Sequence, residues 1–409
     1  MSAQAAAPAA PARSLWPFAA LSAGYFAHIG FFNPYLPLWL QHLGYGLWAI
    51  GLLTALQSAT RLFAPYLWGW LSDRSGDPVR WLRVCAGVAL GVSLGLWWQP
   101  APWWLPLVLL LLFTHTSAMM PLSETVLAHA MGAAGRFDAG RYGRVRLWGS
   151  LGFLLTVLAA GVWFERHGLG GFPLWANLTL VLVVAAVWAI PPWRQAPLAA
   201  SAAPARVGPV LRQPAVAWFF VALFWHVLAH ILVYIFFSLY LDRLGYGKGA
   251  IGALWATAVV VEVAWFFTQG RWLPRVALPQ WLLLAAVLTA VRMAATAWGA
   301  AWWGVLALAQ GLHAVTFAAH HTVCVALIHR HFPGRLRARG QALYALIGYG
   351  ASGVVAGALG GWVSSRFGLA AVFVMGLLAA IAAAGAAAMV GRYDTAQSAH
   401  PADSSRGVR

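Results

Sequence analysis

Leu43-Gly44-Tyr45-Gly46-Leu47-Trp48-Ala49-Ile50-Gly51 recurs as Leu244-Gly245-Tyr246-Gly247-Lys248-Gly249-Ala250-Ile251-Gly252, seven of nine positions matching at an offset of 201 in a chain of 409 residues. The offset is close to half the chain, so the two copies read as equivalent joints of a duplicated unit. A shared need for a tight glycine turn is the alternative to duplication. Working outward from the joints, each is flanked on both sides by long apolar runs, and those runs decide the class of fold.

The chain is 62% apolar and only 9% charged. Soluble domains carry about 25% charged residues, so the excess of apolar surface must face lipid. A mean hydropathy of +0.73 agrees, and a soluble enzyme is excluded. Spanning a bilayer takes roughly 20 apolar residues. Such runs fall at 15–40, 46–68, 80–99, 102–130, 145–164, 172–190, 214–241, 249–269, 277–298, 301–328, 341–364 and 369–391. An all-α membrane protein of twelve transmembrane helices is therefore expected. Apolar segments of outer-membrane strand length do not occur, which argues against a β-barrel.

The 26 Lys+Arg against 9 Asp+Glu give a formal net charge of +17, a balance that in a soluble chain points to nucleic acid. Placing the N-terminus inside puts twenty basic residues in inner segments, including Arg13, Arg74, Arg80, Arg83, Arg136, Arg194, Arg206 and Arg330. Only Arg166, Arg243, Lys248 and Arg366 fall outside, while Arg61 and Arg292 lie within spans. That asymmetry orients both termini to the cytoplasm of a bacterial inner membrane, and no nucleic-acid partner is needed to explain it. The expected organisation is a cytoplasmic tail (1–14), a six-helix bundle (15–190), a cytoplasmic linker opened by Pro191-Pro192 (191–213), a second bundle (214–391) and a C-terminal tail (392–409). The first apolar run reads as a signal anchor. Cys85 and Cys324 fall within spans and read as free, apolar thiols.

Ionisable groups inside spans are costly and face a cavity or a partner. They are Arg61, Glu124, Arg146, Glu262 and Arg292, with His226, His230, His313, His320 and His321. A fifth helix beginning near Gly140 carries Arg146 about 9 Å inward, where it is expected to meet Glu124 of the antiparallel fourth helix. The alternative is that Arg144 and Arg146 are loop charges. His313 falls near the midplane, and its imidazole titrates near neutrality. A single His on an apolar helix is also compatible with a hydrogen-bonded core residue. Asn33, Tyr35, His230 and Tyr234 are the polar and aromatic groups of the repeat-equivalent first and seventh helices expected to line a cavity.

Parallel six-helix repeats are a hallmark of one large transporter class, and several motifs resemble that class, the major facilitator superfamily. Gly69-Trp70-Leu71-Ser72-Asp73-Arg74-Ser75-Gly76, followed by Arg80, is similar to the family's loop motif between its second and third helices. The resemblance implies that Asp73 and the basic residues latch the two halves on the cytoplasmic side. Pro121-Leu122-Ser123-Glu124 with Tyr142-Gly143-Arg144-Val145-Arg146-Leu147-Trp148-Gly149 resembles the substrate-site segments of the branch containing lactose permease and 3-phenylpropionic acid transporters. Val261-Glu262-Val263, Val291-Arg292-Met293 and Leu312-His313 resemble its proton-coupling segments. One departure is that Thr316 stands where lactose permease has a protonating Glu, which brings the pattern closer to the phenylpropionate transporter.

These likenesses imply a non-enzymatic secondary carrier, a functional monomer without cofactor or metal, that couples protons to uptake of a small aromatic carboxylic acid by alternating access. Glu124, Arg146 and Trp148 would contact substrate, with Arg146 or Arg292 offering a bidentate fork to its carboxylate. Glu262, exchanging between protonated and Arg292-paired states, would couple the proton with help from His313. A sugar or nucleoside symporter, with Glu124 accepting hydroxyls and Trp148 stacking, is the alternative. An efflux carrier and a non-transporting membrane protein also stay open. A lipid-acting enzyme is disfavoured because neither metal-ligand spacing nor a nucleophile elbow occurs.

Overall fold

A computed structural model describes residues 14–132, 139–194 and 207–399. Most of both tails and of the linker, with Arg13, Arg136, Arg206, Arg406 and Arg409, lie outside the described residues. Within them the chain is helical and contains no strand. The helices are α1 Trp16–His42, α2 Leu47–Ser75, α3 Pro78–Trp97, α4 Trp104–Met131, α5 Arg141–His167 and α6 Leu169–Trp188. The second set is α7 Pro214–Arg243, α8 Lys248–Arg275, α9 Leu278–Gly299, α10 Trp303–His331, α11 Arg337–Phe367 and α12 Leu369–Asp394. Every expected run has its counterpart. Eleven are long and apolar enough to cross a bilayer. α1 has the length, at 27 residues, but Asn33, His28 and its prolines dilute its apolar character.

The two joints adopt the same backbone. Gly44 and Gly245 take left-handed φ values of 90° and 87°, a conformation that disfavours any residue with a Cβ. In each joint the preceding helix is closed by equivalent bonds, Tyr45 N–H to Leu40 O and Tyr246 N–H to Leu241 O, both at 3.0 Å. Packing repeats the symmetry. α1 lies along α5 and α6 as α7 lies along α11 and α12, and α3 meets α4 and α6 as α9 meets α10 and α12. Between the halves α1 meets α7, and the pairs α2–α11 and α5–α8 exchange under the same relation. Two six-helix bundles related by a pseudo-two-fold axis account for the whole set.

The halves are sealed at the end that carries the joints. A Cβ on Gly51 would strike the backbone of Gly357 and Gly361, and one on Gly252 would meet the Tyr35 hydroxyl at 2.6 Å and Val157 O at 2.7 Å. The Tyr35 hydroxyl lies 3.1 Å from both Val157 O and Lys248 O, so one O–H is shared between α5 and α8. Beside it the Glu165 carboxylate accepts from Gly249 N–H at 3.4 Å, at the positive N-terminal end of α8.

Three helices are interrupted at mid-depth. α2 breaks at Arg61–Phe63, between Leu47–Thr60 and Ala64–Ser75, where Pro65 withholds a backbone donor. α10 and α11 each contain a π-helical stretch, Ala314–Ala319 and Tyr344–Ala351. The Gly348–Gly353 segment, expected to allow close packing or bending, lies across this second stretch; a Cβ on Gly350 would strike Leu62 and one on Gly353 would strike Ser58, both of α2. Cys85 and Cys324 are free and buried.

Candidate functional site

The interruptions face one another, and most of the intramembrane charges gather around them. On the first half, Arg146 of α5 donates to Glu124 of α4 at 3.2 Å, and its guanidinium lies 5.2 Å from the Phe26 ring centroid on α1. The pair keeps 39% and 34% side-chain exposure. Both groups thus keep partial access at mid-span, whereas the joint end is sealed.

On the second half, Arg292 of α9 is 2% exposed and serves three side chains of α10. It donates to Gln310 Oε1 at 2.5 Å, to His313 Nδ1 at 3.1 Å and to Thr316 Oγ1 at 3.3 Å. A guanidinium can only donate, so His313 Nδ1 carries a lone pair and its proton sits on Nε2. That nitrogen is 3.2 Å from Glu262 Oε2 on α8. The expected Glu262–Arg292 pairing is therefore replaced by a chain in which neutral His313 receives from Arg292 and donates to Glu262. Thr316, where lactose permease carries its Glu, is one of the acceptors that hold Arg292.

His313 also begins a stack along α10. Its ring lies 4.8 Å from Phe317 at an interplanar angle of 5°, and Phe317 lies 6.3 Å from His321 at 13°. His321 Nδ1 is 2.8 Å from the Tyr344 hydroxyl, itself 3.3 Å from that of Tyr349. The π-helical stretch of α10 lies within this ladder, and His226 Nε2 donates to Thr316 O at 2.7 Å. Such stretches often occur at functional sites because they redirect side chains and shift carbonyls out of the regular ladder. His320 turns the other way and stacks on His226 at 3.6 Å. His226 and His230, both buried, are bound into the α7–α10 packing, with His230 Nδ1 donating to His226 O at 3.0 Å.

Other expected site residues are placed differently. Asn33 accepts from Gln57 at 3.2 Å, tying α1 to α2. Tyr234 packs 5.8 Å from Trp255 and lies within electrostatic reach of Glu262 and Arg292. Tyr35 is wholly buried, and its hydroxyl is engaged in the seal. Trp148 is two residues from Arg146, hence about 200° around α5. It is 53% exposed and lines a lateral groove with Trp16, Ala19 and Ala23 of α1, away from the Glu124–Arg146 pair.

In the expected gating motif, Gly76 closes α2 with φ 66°, Arg74 lies 5.4 Å over Trp70, and a Cβ on Gly69 would meet open space. Asp73 is exposed and forms no ion pair among the described residues. The neighbouring Asp77 accepts from Arg80 N–H at 3.0 Å and pairs with Arg194 at 3.5 Å. Sequence reasoning missed Gln310, Phe317, Tyr344 and Tyr349 as site residues. The polar Gln310, three positions before His313 on an apolar helix, was the one local signal available.

The "MFS_1 like family" model matches residues 17–375. The chain is 30% identical over 381 residues to the "Probable 3-phenylpropionic acid transporter" of Escherichia coli (strain K12), covering 88% of this chain and 94% of that protein. It is 28% identical over 336 residues to a maltose permease of Geobacillus stearothermophilus, covering 80% and 81%. A mutant structure of the nucleoside transporter NupG superposes with a TM-score of 0.82 at 16% identity, covering 92% of this chain and 99% of that one.

Proposed function

The chain belongs to the major facilitator superfamily, within its MFS_1-like family, and from that premise we propose that it is a proton symporter importing a small aromatic carboxylic acid. The observation that carries this reading is the Glu262–His313–Arg292 chain, with Glu262 and Arg146 both within electrostatic reach of His321 across what this reading takes as a central cavity between the halves. In the arrangement described, Glu262 accepts from His313 and keeps 24% side-chain exposure. A proton arriving on Glu262 removes the negative charge that strengthens the His313 Nε2–H bond. A proton arriving on His313 Nδ1 removes the acceptor of the Arg292 bond. Either event loosens α8 or α9 from α10, which is how protonation would bias one half against the other.

The His313–Phe317–His321 ladder and the Tyr344–Tyr349 pair supply aromatic surface against which an aromatic ring can pack. The relative described as a 3-phenylpropionic acid transporter fits that chemistry. The sealed joint end is then the outer face, and the two termini are cytoplasmic, as the distribution of arginines supports. A functional monomer is consistent with a cavity formed wholly between the two halves.

One observation favours a second reading. Arg146 is already paired with Glu124, an arrangement suited to hydroxyl recognition, and one relative is a maltose permease. Uptake into proteoliposomes across labelled 3-phenylpropionate, maltose and a nucleoside separates the readings. Phenylpropionate accumulation that collapses with the proton gradient is expected. Under the proposal Glu262→Gln loses accumulation and keeps counterflow; unchanged accumulation would remove Glu262 from coupling.

A further inference from the structure

Three arginines lie within the spans around the site, and two of them already have side-chain partners. Arg146 pairs with Glu124, and Arg292 is divided among Gln310, His313 and Thr316. Arg61 is different. It sits at the break in α2, and among the described residues its guanidinium has no carboxylate within ion-pair distance and no hydrogen-bond acceptor. Its nearest defined contact is the face of Tyr349, 5.9 Å from the ring centroid, on the π-helical stretch of α11 in the other half. A charged group held mid-membrane without a counter-ion is costly, and such groups mark ligand paths. The carbonyl end of Leu47–Thr60 contributes partial negative charge, but it leaves the planar fork of N–H donors unused.

Position strengthens the point. Arg61 and Arg146 both act on Tyr25 of α1, while Arg61 and Glu262 both act on Tyr234 and Tyr349. Arg61 therefore lies within electrostatic reach of the same tyrosines as Arg146 and Glu262, and its contact with Tyr349 crosses the interface of the halves. Tyr349 bonds to Tyr344, which bonds to His321, the last ring of the ladder that begins at His313. A guanidinium fork beside a run of aromatic faces matches a ligand with a carboxylate at one end and a flat apolar body.

We infer that Arg61 is the residue that takes the carboxylate of the transported aromatic acid, with Tyr349 and the α10 ring ladder receiving its apolar body. This rests on the proposed carboxylate substrate. Because Arg61 belongs to α2 and Tyr349 to α11, a ligand held between them bridges the two halves, so its binding is felt by their relative position.

The test is equilibrium binding of 3-phenylpropionate and of its neutral amide, 3-phenylpropanamide, to purified wild type, Arg61→Gln and Arg61→Lys. For the carboxylate, Arg61→Gln is expected to weaken binding about 10-fold or more. Arg61→Lys, which keeps the charge but not the fork, is expected to fall between the two. Binding of the amide should change less than about 2-fold in either variant, since it carries no charge to lose. If Arg61→Gln does not fold, the Arg61→Lys comparison alone decides. Carboxylate binding unchanged in the variants overturns the assignment and leaves the symporter reading standing. Equal losses for acid and amide assign Arg61 a structural role and also overturn it. Wild type that binds no aromatic carboxylate overturns the substrate reading, and this inference with it.

Discussion

Arg292 shows how a single buried charge organises a half. Its donors reach Gln310 and, through the other nitrogen, His313 and Thr316, all on α10, while Gln310 passes a further bond to Leu254 O of α8 at 3.0 Å. Three helices are thereby set relative to one another by one guanidinium. Lysine carries the charge but has no fork to span acceptors on successive turns. Arg292→Lys should therefore insert and keep its helical content by circular dichroism, yet lose proton-driven accumulation by about 10-fold or more. Retention of full accumulation would mean that charge alone suffices. The tautomer of His313 follows from the same logic, because a neighbour that can only donate fixes which ring nitrogen is free to accept.

At the level of elements, the joint-end seal depends on helices approaching without side chains between them. Gly51 on α2 meets Gly357 and Gly361 on α11, and Gly252 on α8 meets Val157 on α5 and Tyr35 on α1. The absence of Cβ atoms is what lets backbones pack this closely. Gly51→Leu with Gly252→Leu should hold this end apart. A cysteine at Val157, which is wholly buried in the seal, should then react with a membrane-impermeant maleimide added outside, and accumulation should fall about 10-fold. Labelling no faster than in the single Val157→Cys protein would show that the seal tolerates the added bulk. The broken and π-helical segments carry the opposite lesson. Irregular backbone at membrane depth is tolerated where it is buried in protein or lines a cavity, and here three such segments occur, in α2, α10 and α11.

For the whole molecule, the arrangement is two related bundles sealed against one another at the joint end. Reporter fusions after Arg409 check the proposed orientation. A green fluorescent protein should fluoresce and an alkaline phosphatase should be inactive, because the first matures in the cytoplasm and the second outside it. The reverse pattern would invert the direction of the cavity. Twelve helices, the duplicated joints and the Glu124–Arg146 encounter were legible in the sequence, since each rests on hydropathy, on a local turn or on neighbouring antiparallel segments. The roles expected of Tyr35 and Trp148 as cavity residues were not supported by their placement. Tyr35 is drawn into the seal by carbonyls of two distant helices, and Trp148 lies on the opposite face of α5 from Arg146.

What the sequence by itself determined was therefore the bilayer, the number of spans, the two-fold plan and the short inventory of buried charges. Apolar run length, glycine turns and the high cost of charge in lipid act locally along a chain and can be read there. Only the tertiary structure decided which charges are spent on one another. It interposed His313 between Glu262 and Arg292, closed Arg146 on Glu124 and left Arg61 beside Tyr349 without a counter-ion among the described residues. Those outcomes depend on helix rotation and on π-helical stretches that shift the register of side chains, and both are set by packing between segments far apart in sequence.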